Sequence, residues 1–122
     1  MIVLDSDIII YSALPQNVGL RRYISSENPG VSVISRVEVL GFYNLSEEEV
    51  RYFDDFFNAA KEFPLSDDIV QKAIEIRQER KMGLGDSLIA STAIVHGLSL
   101  LTNNSKDFKW IKSLALLDPF ED

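Results

Sequence analysis

Short apolar runs, each halted after about four residues by a polar side chain, constrain this chain more than any other feature. Residues 2–4, 31–34, 98–101 and 114–117 are of this kind, with 62–65 a weaker case. Being apolar at most positions and not at alternate ones, they read as strands buried on both faces. Between them the hydrophobic period changes to 3.6. Ser46-Glu47-Glu48-Glu49 has the spacing of a capping box, followed by Val50, Phe53, Phe56, Phe57 and Ala60 at helical intervals. Ser66 opens a second helix, with Ile69, Ala73 and Ile76 on one stripe and Arg77, Arg80 and Lys81 near its end, until Gly83 and Gly85 break it. Residues 86–96 form a third, rich in Ala and Ser and closed by Gly97, while "SSENPG" (25–30) reads as a loop. Strands alternating with helices predict an α/β fold: three layers, α/β/α, around a mostly parallel sheet of four to five strands.

A chain of 122 residues with 46% apolar composition has room for one domain with a real core. No apolar run approaches the ~20 residues of a membrane span. The absence of cysteine excludes disulfides and thiolate metal sites and fits a cytoplasmic protein. A net charge of −7, from 12 Lys and Arg against 19 Asp and Glu, argues against general adhesion to nucleic acid, which needs clustered cations. It leaves room for a nucleic-acid enzyme, because divalent metal bound among carboxylates inverts the local charge. Arg21 with Arg22, Arg77 with Arg80 and Lys81, and Lys106 with Lys109 and Lys112 are candidates for a basic rim.

Four acids stand where a core is otherwise being built. Asp5 follows the first run in "VLDSDIII" (3–10), Glu38 the second in "SRVEVLGF" (35–42), and Asp107 the fourth in "TNNSKDF" (102–108), while Asp86 opens a helix in "GLGDSLIAS" (83–91). Each has a structural use. Asp5 or Asp7 would cap a helix running through Ile8 to Tyr11, Ser35-Arg36-Val37-Glu38 matches a capping box, Asp86 suits a first helical turn, and Asp107 would cap residues 108–111. Yet a parallel sheet gathers its strand C-termini along one edge, where ligands of open α/β folds collect. Three of the acids follow strands directly, and a helix opening at Asp86 beside them brings in the fourth. Carboxylates at ~4 Å repel by several kcal/mol at an effective dielectric near 20, so such a cluster calls for a cation. Oxygen ligands without Cys or His select Mg²⁺ or Mn²⁺, and the natural chemistry is phosphodiester hydrolysis. Asp5 is then the central ligand, Glu38 and Asp86 complete or orient the site, and Asp107 holds a second metal or its waters.

Taken together, "VLDSDIII", "SVISRVEVLGF" (32–42) and "GLGDSLIASTAIVHGLSLLTNNSKDF" (83–108) resemble the PIN-domain ribonucleases, close to the VapC-type toxins of prokaryotic toxin–antitoxin pairs. The resemblance covers nearly the whole chain in order. It implies a PIN-like fold over residues 1–122 and a Mg²⁺- or Mn²⁺-dependent endoribonuclease, commonly a homodimer, held inactive by a small antitoxin. Asp5, Glu38 and Asp86 match the three best-defined acids of the family. Asp107 matches the fourth, with Asn104 competing for that place. Ser6 sits where a hydroxyl assists the first Asp, Thr102 matches the polar residue closing the fourth strand, and Asp7 either adds to the site or caps.

Other functions compete. The Asp-x-Asp of Asp5 and Asp7 has the spacing of a haloacid-dehalogenase-type phosphatase but lacks the Gly-Thr turn expected next. A receiver-type switch needs a phosphoacceptor Asp after the middle strand and a Lys after the last, and "EFPLSDD" and "LLDPFED" offer neither cleanly. A PIN-like module that only binds remains a third class. His96 and the aromatic residues Tyr52, Phe53, Phe56 and Phe57 read as structural, any surplus of the latter serving a partner surface. Trp110 reads as buried against the last strand before it reads as a base-stacking residue. Arg77, Arg80, Lys81 and Lys106 are candidate RNA contacts, though the first three also suit a helix C-terminus.

Overall fold

Alternation along the strands assigns each residue to one of two cores. In a computed structural model, which describes residues 1–120, the strands are β1 (Ile2–Leu4), β2 (Pro29–Ser32), β3 (Lys61–Phe63), β4 (Leu100–Leu101) and β5 (Leu116–Leu117). They form one sheet in the order β3-β2-β1-β4-β5, every pair parallel. The helices are α1 (Ser6–Ser12), α2 (Val18–Ser26), α3 (Val33–Leu40), α4 (Glu47–Ala59), α5 (Asp67–Glu79), α6 (Leu84–Val95) and α7 (Ser105–Phe108). Ile2, Leu4, Val31 and Leu101 pack on one side with Ile8, Ile24, Val39, Phe53 and Phe57 of α1 to α4. Val3 and Leu100 point the other way, to Ile76, Ile89, Ala93 and Phe108 of α5 to α7. The expected three-layer α/β/α architecture is therefore present. No helix among the described residues is long and apolar enough to cross a membrane.

Several boundaries differ from expectation, each for a local reason. Residues 31–34 do not form a strand throughout, because Val33 and Ile34 already belong to α3. Its N-cap is Ser32, whose hydroxyl accepts from the Ile34 amide at 3.2 Å. Ser35 is thus inside the helix, and the Ser35–Glu38 capping box does not exist; the Glu38 side chain is left for another purpose. The "SSENPG" loop shrinks to Glu27 and Asn28, since Ser25 and Ser26 end α2 and Pro29 and Gly30 begin β2. Asn28 makes the reversal at φ 53°, a left-handed conformation that Asn tolerates. Helix α6 starts two residues before Asp86. It ends as expected at Gly97 (φ 65°), where the Leu98 amide donates to Ala93 and the Gly97 amide to Ile94, a Schellman closure. The Ser46 capping box and the Ser66 cap both form. Tyr52 and Phe56 are half-buried against the core that contains Phe53 and Phe57, so this aromatic stripe is mostly interior.

The Ser32 cap is open to a simple check. Ser32→Ala should lower the unfolding free energy in urea by about 1 kcal/mol. A loss below about 0.3 kcal/mol would mean that the hydroxyl does not hold the start of α3.

Candidate metal centre

The chain leaves β1 to build β2 and β3 on one side, then returns to build β4 and β5 on the other, so the order of the sheet reverses between β1 and β4. The crevice at such a switch point, beyond the strand C-termini, is where open α/β sheets place their ligands. Asp5 and Thr102 are the residues immediately beyond the β1–β4 pairing of Leu4 with Leu101. Asp5 is only 4% exposed, Thr102 fully buried, and the Thr102 hydroxyl donates to Asp5 Oδ2 at 2.8 Å. Although Asp5 occupies the N-cap position of α1, its side chain makes no capping hydrogen bond to the end of that helical turn. Burial pushes its carboxyl up from 3.8 to about 6. The Thr102 hydroxyl and the Ser6 amide pull against this, and the charges of Asp86 and Asp7 add to it.

Around Asp5 stand the other acids. Asp86, half-buried in the first turn of α6, also has its carboxyl raised, by burial first and then by the charges of Glu38, Asp107 and Asp7. Glu38 extends from α3 toward the start of α6, where a methyl group placed on Gly85 would sit 2.6 Å from Glu38 Oε2. The Ser6 hydroxyl donates to Glu38 Oε1 at 2.8 Å and also lies 3.0 Å from the buried Ser35 hydroxyl. Asp107 lies within α7 rather than ahead of it; the N-cap there is Asn104. Asn104 itself donates from Nδ2 to Asp7 Oδ2 at 2.8 Å, and its amide donates to the Thr102 hydroxyl at 3.0 Å.

Asp5, Glu38, Asp86 and Asp107 thus feel one another through Asp86. No group of three or more His, Asp or Glu among the described residues is drawn together tightly enough to hold an ion as it stands. The donor set is the oxygen-only kind that suits a hard cation.

The basic residues divide. Arg80, Lys81 and Lys106 line a cleft of about 270 Å³ together with Met82, Gly83, Asp86, Asp107 and Trp110. Arg77 lines a separate apolar groove of about 470 Å³, and its Nε donates to the Met82 carbonyl at 3.2 Å. Trp110 is half-buried, not sealed against β5. Sequence reasoning overlooked Gly85, whose missing side chain admits Glu38, and Ser35, which backs Ser6. A glycine directly before a first-turn acid was the available signal for the first; the Ser35 pairing left none.

The chain matches the PIN domain family over residues 2–113 and belongs to it. Among characterised proteins it is 56% identical over 41 residues to Ribonuclease VapC1 of Rickettsia felis, a match spanning 34% of this chain and 31% of that protein. Among solved structures, VapBC2 from Rickettsia felis bound to a DNA fragment from their promoter superposes with a TM-score of 0.82 at 26% identity, covering 97% of this chain and 98% of the other. A toxin-antitoxin complex from Klebsiella pneumoniae gives 0.78 at 24%, covering all of both chains, and shares the fold. The sheet order also departs from the 2-1-3-4-5 of a receiver-type switch.

Gly85 separates stability from function. Gly85→Ala adds a helix-favouring residue in the first turn of α6, worth up to ~1 kcal/mol, while its methyl displaces the flexible end of Glu38. The variant should melt at or above the wild-type temperature yet bind Mg²⁺ or Mn²⁺ at least several-fold more weakly by calorimetry. Unchanged metal affinity would remove Glu38 from the centre.

Proposed function

We propose that this chain is a Mg²⁺- or Mn²⁺-dependent endoribonuclease, the toxin of a type II toxin–antitoxin pair. In this reading residues 1–122 form one PIN-like domain that works in the cytoplasm as a homodimer and is held inactive by a cognate antitoxin protein. The observation that carries it is Asp5: a carboxylate buried at the switch point of the sheet, with Asp86 close enough to resist its ionisation. An isolated buried carboxylate is a liability, and a divalent cation turns it into a ligand. Similarity to a protein named a ribonuclease, and to chains solved in VapBC assemblies, supports RNA as substrate and an antitoxin as partner.

Asp5 and Asp86 would hold the ion, Glu38 would complete or orient its shell from the Gly85 side, and Asp107 would hold a second ion or ordered waters. Such an ion supplies Lewis-acid stabilisation of phosphate charge and activation of water. The protein's own groups do the positioning. Thr102 fixes one oxygen of Asp5. Ser6 fixes one oxygen of Glu38. Asn104 tethers Asp7; in this reading it would act as a positioning residue, with the fourth acidic place given to Asp107. Arg80, Lys81 and Lys106 face the RNA from the cleft wall; Arg77 takes no part.

Cleavage of RNA by purified, antitoxin-free protein should require Mg²⁺ or Mn²⁺, and Asp5→Asn or Asp86→Asn should each reduce it by 100-fold or more. Equal cleavage by wild type and both variants would identify a contaminant and leave a binding module. The pH dependence of stability gives a test independent of activity. Because the folded-state pKa of Asp5 is raised from 3.8 to about 6, the metal-free fold gains protons relative to the unfolded chain, and stability falls as pH rises through that window. By pH 7 the accumulated penalty is on the order of 3 kcal/mol. Metal-free Asp5→Asn should therefore be more stable than wild type at pH 7 and lose that advantage near pH 4. Saturating Mg²⁺ should stabilise wild type at pH 7 and leave Asp5→Asn almost unchanged.

A further inference from the structure

Cations and carboxylates share the 270 Å³ cleft without pairing. Arg80, Lys81 and Lys106 line it with Asp86 and Asp107, yet among the described residues the sole ion pair within 4 Å is Arg36 with Glu62, on another part of the surface. Arg80, at the C-cap of α5, is directed elsewhere: its guanidinium carbon stands 5.5 Å from the centre of the Trp110 ring, within range of a cation–π interaction. The indole is itself fixed, since its Nε1 donates to the Asp107 carbonyl at 3.0 Å and its ring packs against the core beneath α7. The guanidinium is thereby propped on an aromatic face, and its N–H groups are left without a carboxylate.

We infer that Arg80, propped by Trp110 and flanked by Lys81 and Lys106, is a clamp for a second phosphate of the RNA substrate, adjacent in the strand to the one cleaved. This rests on the nuclease reading above and adds a subsite to it. The acids lining the cleft call for a metal ion and the cations for an anion, and an RNA strand crossing it brings a phosphodiester to each. A guanidinium is the natural choice, because its planar fork meets two phosphate oxygens at once. Trp110 acts through Arg80 and is a positioning residue.

The test changes the substrate and not only the protein. A short RNA with one known cleavage site is prepared in its natural form and as a series in which one flanking linkage at a time is a neutral methylphosphonate. Wild type should lose about tenfold in kcat/KM at one flanking position, carried mainly by KM. Arg80→Gln should lose about tenfold on the natural RNA but less than twofold more when that linkage is neutral. Its dependence of log kcat/KM on log salt should also be shallower by about 0.7, one phosphate contact on a single strand. Trp110→Leu, which fills the space without an aromatic face, should behave as Arg80→Gln does, and Trp110→Phe should restore sensitivity to the neutral linkage. If no neutral linkage affects wild type, or if Arg80→Gln remains as sensitive as wild type, the clamp is wrong while the nuclease stands. If wild type fails to cut the natural RNA under any metal condition, the nuclease reading falls and the clamp falls with it.

Discussion

Everything at the centre of this protein depends on one hydrogen-bonded carboxylate at the place where the sheet reverses its order. Thr102 and Asp5 are successive neighbours on β4 and β1, so the parallel register that pairs Leu4 with Leu101 also sets their side chains together. One hydroxyl and one amide do not compensate the desolvation of a carboxylate, which is why burial dominates the upward shift of its pKa. The fold therefore carries a site in which the metal-free state is penalised near neutral pH. Strain of this kind persists because the flanking strands, buried without exception at Val3, Leu4, Leu100 and Leu101, supply far more stabilisation than the acid removes.

The sequence made much of the sheet legible because β1, β4 and β5 lie in apolar runs with polar residues after them, whereas β2 and β3 include Pro29, Gly30, Ser32, Lys61 and Glu62 and showed only in part. Asp5, Glu38, Asp86 and Asp107 could be picked out for the same reason: they interrupt or follow core segments. Where reading failed, two signals overlapped. "SVISRVE" contains Ser32 and Ser35, each able to cap a helix, and the Glu three residues after Ser35 favoured the wrong one. The competition was decided by β2, which needs only three buried positions to pair with β1 and β3 and so frees Val33 and Ile34 for the helix. Helix α2 was missed because only Leu20 and Ile24 of its nine residues are buried, too sparse a stripe to stand out beside "SSENPG". Gly85 read as a breaker since a missing side chain gives no hint of what occupies its space.

The correction at Ser32 bears on the site itself. Had Glu38 reached back to cap its own helix, its carboxylate would have been spent on a backbone amide. Three residues further along the helix than the position from which it could reach back to the Ser32 cap, it instead faces α6, with Ser6 from α1 and the bare backbone of Gly85 on either side. Three elements distant in sequence thus agree on where one carboxylate stands, and none of the three contributes a cation. An arrangement that served only to stabilise the fold would have used one, since pairing relieves like-charge repulsion at little structural cost.

The cations that could have done so lie close by and are held back. Arg80 rests on an indole whose own N–H is tied to the backbone of Asp107, and no carboxylate among the described residues pairs with its guanidinium. A direct Arg–carboxylate pair here would neutralise both partners, and under the proposed function would weaken the cleft for a divalent ion and for phosphate alike. Keeping them apart maintains two fields of opposite sign within one cleft, in a protein whose net charge of −7 would otherwise repel any polyanion. Attraction of an RNA strand then depends on the local arrangement and not on the total. Under the proposed function, metal and strand would favour each other's binding, because each would neutralise charge that opposes the other.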